Sequence, residues 1–153
     1  MAEANGGAMP QLEALAHYVK DLSFENPNAP RSLGPQETAP NISINVNVNG
    51  KNIGGNEYEV ELVFDGQAGE GEGLLFKFEL NFAGVFRLTN IPKEHEHQVI
   101  MIECPRLMFP FARAVLANAV RDGGFPPFLL QPIDFAALYQ ARMAELGKQQ
   151  MNS

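Results

Sequence analysis

The chain has 153 residues with one cysteine, no tryptophan and eleven phenylalanines, and its 11 basic and 18 acidic side chains give a formal net charge of −7. This length suits one domain, and a single cysteine excludes an internal disulfide and favours a reducing compartment. The acidic excess argues against nucleic acid as a partner, because phosphate contacts need clustered lysine and arginine.

Targeting and membrane-spanning segments are not recognisable in the sequence. Residues 1–10 have no basic cluster and no apolar run, so no signal peptide is expected. No window reaches the ~18 apolar residues that a membrane helix needs. These features predict a cytoplasmic protein without direct membrane insertion. We expect a single domain at 11–147, with disordered tails at 1–10 and 148–153.

Four segments of the first half alternate apolar and polar side chains, which is typical of strands with one buried face. They cover residues 18–25, 42–48, 58–64 and 74–82, and the fourth is expected to continue past Gly84 with a bulge at that glycine. Asn-Gly and Gly-Gly pairs after the second segment predict its end. The proline-rich stretch 27–40 predicts an extended crossover, and the glycine-rich stretch 65–73 predicts a flexible turn.

The second half has helical periodicity. One helix is predicted over 111–120, and another begins with Asp134 as its N-cap and ends at Gly147. The loop between them, residues 125–132, is unusually apolar. Strands followed by helices predict an α+β fold, with a four-stranded antiparallel sheet followed by two C-terminal helices joined by an apolar loop.

The polar face of this sheet is rich in acids if the strands pair in matching register. The alternation places Tyr18 on the other, apolar face with Leu22 and Phe24. A solvated sheet face is the ordinary interpretation and the one that the pattern alone favours. The functional interpretation is an acidic platform for a basic partner. The acids concerned are Asp21, Glu25, Glu57, Glu59, Glu61 and Glu79.

The apolar side chains of the strands and of the loop between the helices are numerous for one small subunit. They either all belong to the core or leave an exposed surface that serves as a subunit interface or binding groove. A phenylalanine-rich groove suits clients of differing sequence, because burial of a ring needs no fixed hydrogen-bond pattern.

Catalytic signals are weak, and the sequence predicts a protein that is not an enzyme and has no cofactor. His95 and His97 could share a strand face and bind a metal, but spacing identifies no third ligand, and a solvated loop is the favoured interpretation. Cys104 lies among apolar residues and is interpreted as a buried small hydrophobe. Two alternatives stay open: a metal-dependent enzyme that uses His95, His97 and Cys104, and a purely structural oligomer.

Three blocks of sequence carry a resemblance to a known family. They are DLSFENPNAP at residues 21–30, CPRLMFPFAR at 104–113 and GGFPPFLLQPIDFAALY at 123–139. In their order and in their proline and phenylalanine spacing they resemble the SecB family of bacterial export chaperones. The resemblance implies four antiparallel strands, two C-terminal helices, and a homotetramer built as a dimer of dimers.

The same resemblance implies a cytoplasmic holdase that binds unfolded presecretory proteins, keeps them competent for translocation and delivers them to the SecA motor. The acids that contact the basic, zinc-binding C-terminal tail of SecA fall on Asp21, Glu25 and Glu79, which shifts the preference to the acidic platform. Lys77 stands where the family has a leucine and has the same charge sign as this partner.

The client groove that the resemblance implies lies between the helices, the loop that connects them, the second strand and the crossover. The residues it assigns to client binding are Ile42, Ile44, Val46, Phe125, Phe128, Leu129, Leu130, Phe135 and Met143.

Overall fold

A four-stranded antiparallel sheet forms the centre of the computed structural model, which describes residues 9–36 and 38–151. In space the strands follow the order β1-β4-β3-β2, so β1 and β2 are the two edges. The strand count and the antiparallel pairing agree with the prediction. The strands are β1 (Gln11–Glu25), β2 (Ile42–Gly54), β3 (Glu57–Ala68) and β4 (Phe76–Thr89).

Three helices follow the sheet in the described part of the chain. They are α1 (Lys93–Gln98), α2 (Cys104–Asp122) and α3 (Phe135–Met151), and a π-helical turn at Val99–Glu103 joins α1 to α2. The apolar loop lies between α2 and α3, so the α+β prediction is confirmed. No helix in the described ranges is long and apolar enough to cross a membrane.

The core lies between the sheet and α2. Alternate residues of β3 and β4 point to the face that a stripe of α2 covers, and full burial of each large side chain stabilises the fold by ~1.5–3 kcal/mol. The central members, none more than 1 % exposed, are Val60, Leu62, Phe64, Phe78, Leu80, Met108, Ala112 and Leu116.

One helix does not cover the whole sheet. A helix is about 10 Å wide, whereas four strands span roughly 15 Å between the outer axes, so apolar margins remain along both edge strands. At the β1 margin, Val19 and Leu22 pair with core residues of β4 yet are exposed, as are Leu107 and Phe111 of α2. The other margin lies along residues 42–46 of β2.

β1 contains an irregularity that the sequence pattern did not reveal. Its pairing with β4 shifts between Val19 and Asp21, where Lys20 is the extra residue. Such a bulge moves the preceding side chains to the opposite face, so Tyr18 lies opposite Ala83 on the polar face. The prediction that Tyr18 lies on the apolar face was wrong, because simple alternation assumes an unbroken ladder.

Gly50 does not end β2, which continues to Gly54. A Cβ atom at Gly50 would collide with Cγ2 of Ile100 in the π-helical turn. The glycine therefore allows close approach of helix and strand, and the predicted turn at this Asn-Gly pair was wrong.

The β3–β4 connection is shorter than predicted. β3 continues to Ala68, and only a 3₁₀ turn at Gly71–Gly73 intervenes before β4. β4 passes Gly84 without a shift in its pairing with β3, and the nearby shift in its pairing with β1 inserts Leu15 of β1, so the bulge expected in β4 at this glycine was wrong. The proline-rich crossover also contains one 3₁₀ turn, at Arg31–Leu33.

The helices are longer than their periodic segments. Two prolines lie within α2: Pro105 is in its first turn, where a backbone N–H would have no helical partner, and Pro110 is inside the helix. α3 continues through Gly147, its predicted end, to Met151. Of the predicted tails, residues 1–8 and 152–153 lie outside the described residues, and residues 148–151 are helical.

His17 is packed among aromatic rings on the helix side of the sheet. Its ring centroid lies 5.8 Å from those of Phe82 and Phe86 and 5.2 Å from that of Phe111. Its buried Nε2 has no hydrogen-bond partner within the described chain. Burial lowers the pKa of His17 below its ordinary value of 6.5, because the charged ring would lose hydration.

We expect Gly50→Ala to lower the free energy of unfolding by about 1–3 kcal/mol, because the added methyl group overpacks the contact with Ile100. Urea unfolding followed by circular dichroism measures this change. Gly73→Ala is the matched control, since a Cβ there meets no atom within 4 Å. Equal effects of both substitutions would contradict the packing role of Gly50.

We expect the free energy of unfolding to fall as pH decreases below about 6.5, because the unfolded chain then binds a proton that folded His17 resists. In His17→Leu this contribution disappears. Urea unfolding at pH 7.5 and 5.5 measures the difference. The same pH dependence in wild type and His17→Leu would contradict the assignment.

Candidate functional site

The polar face of the sheet has a network of charges near the β2–β3 turn. Lys20 Nζ reaches across β4 to Glu59 Oε1 at 3.1 Å and to Glu61 Oε2 at 2.9 Å. The hydroxyl of Tyr18 donates a hydrogen bond to Glu59. Ala83 of β4 lies between these strands, and its small side chain leaves room for the crossing contacts.

These contacts shift the pKa values of the groups involved. The hydrogen bond from Tyr18 lowers the pKa of Glu59, and the hydrogen bond from Lys20 lowers that of Glu61. Burial, followed by the hydrogen bond to Glu59, raises the pKa of Tyr18 to about 12. The carboxylates are therefore ionised at neutral pH and are balanced by nearby donors.

Glu57 is also paired, with Arg87 Nη2 at 3.0 Å from its Oε2. The three acids of β3 that the sequence placed in an acidic platform thus have partners inside the protein. The platform predicted from six acids is smaller in the structure, because cations from β1 and β4 neutralise the half near the β2–β3 turn.

The other end of the polar face keeps its negative charge. Asp21 and Glu25 of β1 and Glu79 of β4 lie there on one face, as the sequence predicted. Asp65 of β3 pairs opposite Glu79, and Lys77 pairs opposite Glu25. Within residues 9–36 and 38–151 none of these four carboxylates forms an ion pair. The sequence pattern missed Asp65 because its segment was interpreted as a flexible turn.

An apolar cavity of about 360 Å³ lies at the start of the β2 margin. The crossover, β2, the start of β4 and the loop before α3 each contribute to its wall, and the ring of Phe125 lies 4.9 Å from that of Phe76. Ile42, Phe125 and Phe128, which the resemblance assigned to client binding, line this cavity. Leu33 and Phe76 also line it, but the sequence pattern did not identify them. The apolar lining includes Leu33, Pro40, Ile42, Phe76, Phe125 and Phe128.

The remaining loop residues divide between surface and core. Leu129 is 64 % exposed, whereas Leu130 is 9 % and Phe135 only 2 % exposed. The ring of Phe135 packs edge-on against Phe109 of α2 at 6.2 Å. Leu130 and Phe135, both assigned to client binding by resemblance, therefore anchor the loop and α3 to the core in this structure.

The free edge of β2 carries backbone groups that point away from the sheet. The N–H of Gly69 donates to the oxygen of Asn41 at 2.8 Å, and hydrogen-bonded pairs alternate along an antiparallel ladder. Residues 43, 45 and 47 therefore bond to β3, whereas the N–H and C=O groups of Ile42, Ile44, Val46 and Val48 point outward. Consistently, the oxygen of Val48 accepts a 3.0 Å hydrogen bond from Arg142 Nη1.

A second cavity, of about 500 Å³, lies at the far end of this edge, between β2, α1 and α3. Across it, Nδ1 of His97 lies 2.9 Å from the hydroxyl oxygen of Tyr139. Met143, which the resemblance assigned to client binding, lines this cavity and not the first one. The lining includes Val48, His97, Met101, Tyr139, Arg142, Met143 and Leu146. We call the two cavities and the β2 edge between them the apolar track.

The groups considered for a metal site do not converge. His95 and His97 lie on α1, not on a loop or strand, and residues two apart on a helix point in directions about 200° apart. In the described ranges no three His, Cys, Asp or Glu side chains could hold a metal ion. Cys104 is fully buried, and burial raises the pKa of its thiol to about 12. No geometry here favours the metal-dependent enzyme.

Comparison with known proteins identifies relatives over nearly the whole chain. A family model described as preprotein translocase subunit SecB matches residues 5–146. Protein-export protein SecB of Beijerinckia indica is 57 % identical over 152 residues, covering 96 % of this chain and 95 % of that protein. The protein of the same description from Rhodopseudomonas palustris (strain TIE-1) is 57 % identical over 153 residues, covering 97 % and 98 %.

A solved structure shares the fold at low sequence identity. It is a SecB-like chaperone of Mycobacterium tuberculosis in complex with a ChAD peptide from the HigA1 antitoxin. It superimposes with a TM-score of 0.61 at 11 % identity, over 80 % of this chain and 90 % of that one. Because the family model spans both faces of the sheet, the first cavity, most of the second and most of α3, and the relatives match at more than half of their positions, the chain belongs to the SecB family.

Proposed function

We propose that this protein is a cytoplasmic holdase chaperone that binds unfolded presecretory proteins, keeps them competent for translocation and delivers them to SecA. The observation that carries the proposal is the apolar track, where an apolar cavity and a second cavity of mixed apolar and polar lining flank an edge strand with outward-pointing backbone groups. Relatives described as protein-export proteins, at 57 % identity over nearly full length, support the same activity.

An extended client segment fits this track. Its backbone pairs with the outward groups of Ile44 and Val46, which supplies affinity without regard to sequence. Its apolar side chains enter the cavities and contribute ~25 cal/mol for each Å² of apolar surface removed from water. A SecB-like chaperone of M. tuberculosis with the same fold is described in complex with a peptide, which supports peptide binding as an activity of this fold. Binding and release involve no covalent step, so the proposed protein is not an enzyme and needs no cofactor.

The acidic end of the polar face suits the basic zinc-binding tail of SecA. Asp21, Glu25, Glu79 and the neighbouring Asp65 lack ion-pair partners in the described ranges, and a cationic tail would supply them. Lys77 borders this patch and narrows the area open to a cation. Because the patch lies on the opposite face of the sheet from the cavities, client and SecA can be bound together, which suits transfer.

The β1 margin suits self-association into the homotetramer, a dimer of dimers. Its exposed apolar residues are Val19 and Leu22 of β1 and Leu107 and Phe111 of α2, and exposed apolar surface of this kind marks protein contacts. Several tracks on one assembly raise the apparent affinity for a long client through effective concentration.

We expect the double substitution Asp21→Lys and Glu25→Lys to weaken SecA binding at least about 10-fold, because two attractions become repulsions. Client binding should not change. Titration calorimetry at low and moderate salt measures both, and added salt should weaken the wild-type contact. Glu94→Lys with Asp122→Lys has the same charge change outside this face, and an equal loss of SecA binding there would contradict the assignment.

We expect Ile42→Ser with Phe128→Ser to weaken binding of an unfolded presecretory protein about 10-fold or more, because both side chains line the first cavity and each contributes ~1.5–3 kcal/mol when fully buried. Fluorescence anisotropy of a labelled unfolded client measures the affinity, and light scattering checks the assembly. Ile53→Ser, at an exposed site near the β2–β3 turn, is the control. Unchanged client binding in an intact assembly would favour the purely structural oligomer.

A further inference from the structure

Arg142 connects α3 to the free edge of β2. Its Nη1 donates a 3.0 Å hydrogen bond to the backbone oxygen of Val48, the last outward acceptor of the apolar track. An added strand bonds to the outward N–H and C=O groups of every second residue. The guanidinium therefore occupies the place that the backbone of a client would need at Val48.

α3 is attached lightly apart from this contact. Of its residues, only Phe135, at the very start, is buried. Met143 and Leu146, on the turns near Arg142, are 38 % and 49 % exposed and line the 500 Å³ cavity. A hydrogen bond between His97 and Tyr139 is a second polar contact between α3 and the rest of the protein. A segment with so few buried contacts opens locally at low free-energy cost.

We propose that Arg142 is a latch: while it holds the oxygen of Val48 it closes the far end of the apolar track, and a client segment long enough to reach Val48 displaces it. The inference rests on the proposed client binding. The exchange conserves hydrogen bonds, because a client N–H replaces the guanidinium N–H and the long arginine side chain returns to water. In the absence of client the same contact protects an edge strand from pairing with other chains.

The latch makes the binding penalty depend on client length. Ile42 and Val48 are separated by roughly 20 Å along an extended strand. A segment that fills only the first cavity and pairs near Ile44 leaves the Arg142–Val48 contact undisturbed. A segment of about eight residues reaches Val48 and must open it. A latch closed about four-fifths of the time weakens the apparent affinity about 5-fold.

The test uses blocked peptides of alternating leucine and threonine, about eight and about four residues long, with the assembled full-length protein. Arg142→Met keeps the length of the side chain but removes the donors. It should bind the long peptide about 5-fold more tightly through a faster association rate, with an unchanged dissociation rate and no change for the short peptide. Arg121→Met, in α2 beside Asp122, should behave as wild type.

An unchanged or weaker affinity of Arg142→Met for the long peptide, or an equal gain for both peptides, would overturn the latch. Arg142→Gln, which keeps a neutral donor, should give a smaller gain and decides the question if Arg142→Met fails to assemble. If no variant binds the long peptide while an unfolded presecretory protein still binds, only the latch is wrong. If the unfolded protein does not bind either, the proposed function fails with it.

Discussion

One helix is narrower than a four-stranded sheet, and this difference in width determines which apolar surfaces of the molecule stay open to partners. All inward residues of β3 and β4 need a cover, and α2 supplies it with a stripe that leaves Phe64, Phe78 and Leu116 almost fully buried. The same helix is too narrow to cover β1 and β2. Apolar side chains therefore remain along both edges, one suited to subunit contacts and the other to unfolded segments.

The polar face of the sheet is divided in a similar way. Lys20 and Arg87 neutralise the acids of β3 near the β2–β3 turn. A cationic partner is therefore attracted most strongly to the acidic end, where the carboxylates have no ion pair within the described residues. Charge and apolar surface are thus separated by the thickness of one sheet. In the proposed function this separation lets one subunit hold a client through burial and a motor protein through salt-sensitive charge contacts.

Alternation in the sequence was sufficient to predict β2, β3 and β4 and the α+β class, because each strand buries one face. It failed at Tyr18, where a bulge reverses the faces, and at Gly50, where a turn-like dipeptide serves a tertiary contact instead. The resemblance to the SecB family directed attention to Ile42 and Phe128, which line the first cavity. Contacts between distant segments leave no periodic signal, so the sequence did not predict that Arg142 bonds to Val48.

Unfolded segments are proposed to bind along the free edge of β2, and amide hydrogen exchange reports on that edge residue by residue. The outward N–H groups of Ile44 and Val46 gain acceptors if a client strand pairs there, so their exchange should slow when an unfolded presecretory protein is added. The N–H groups of Ser43 and Asn45 face β3 and should change little. Unchanged exchange at Ile44 and Val46 while client is bound would show that the client does not pair with this edge.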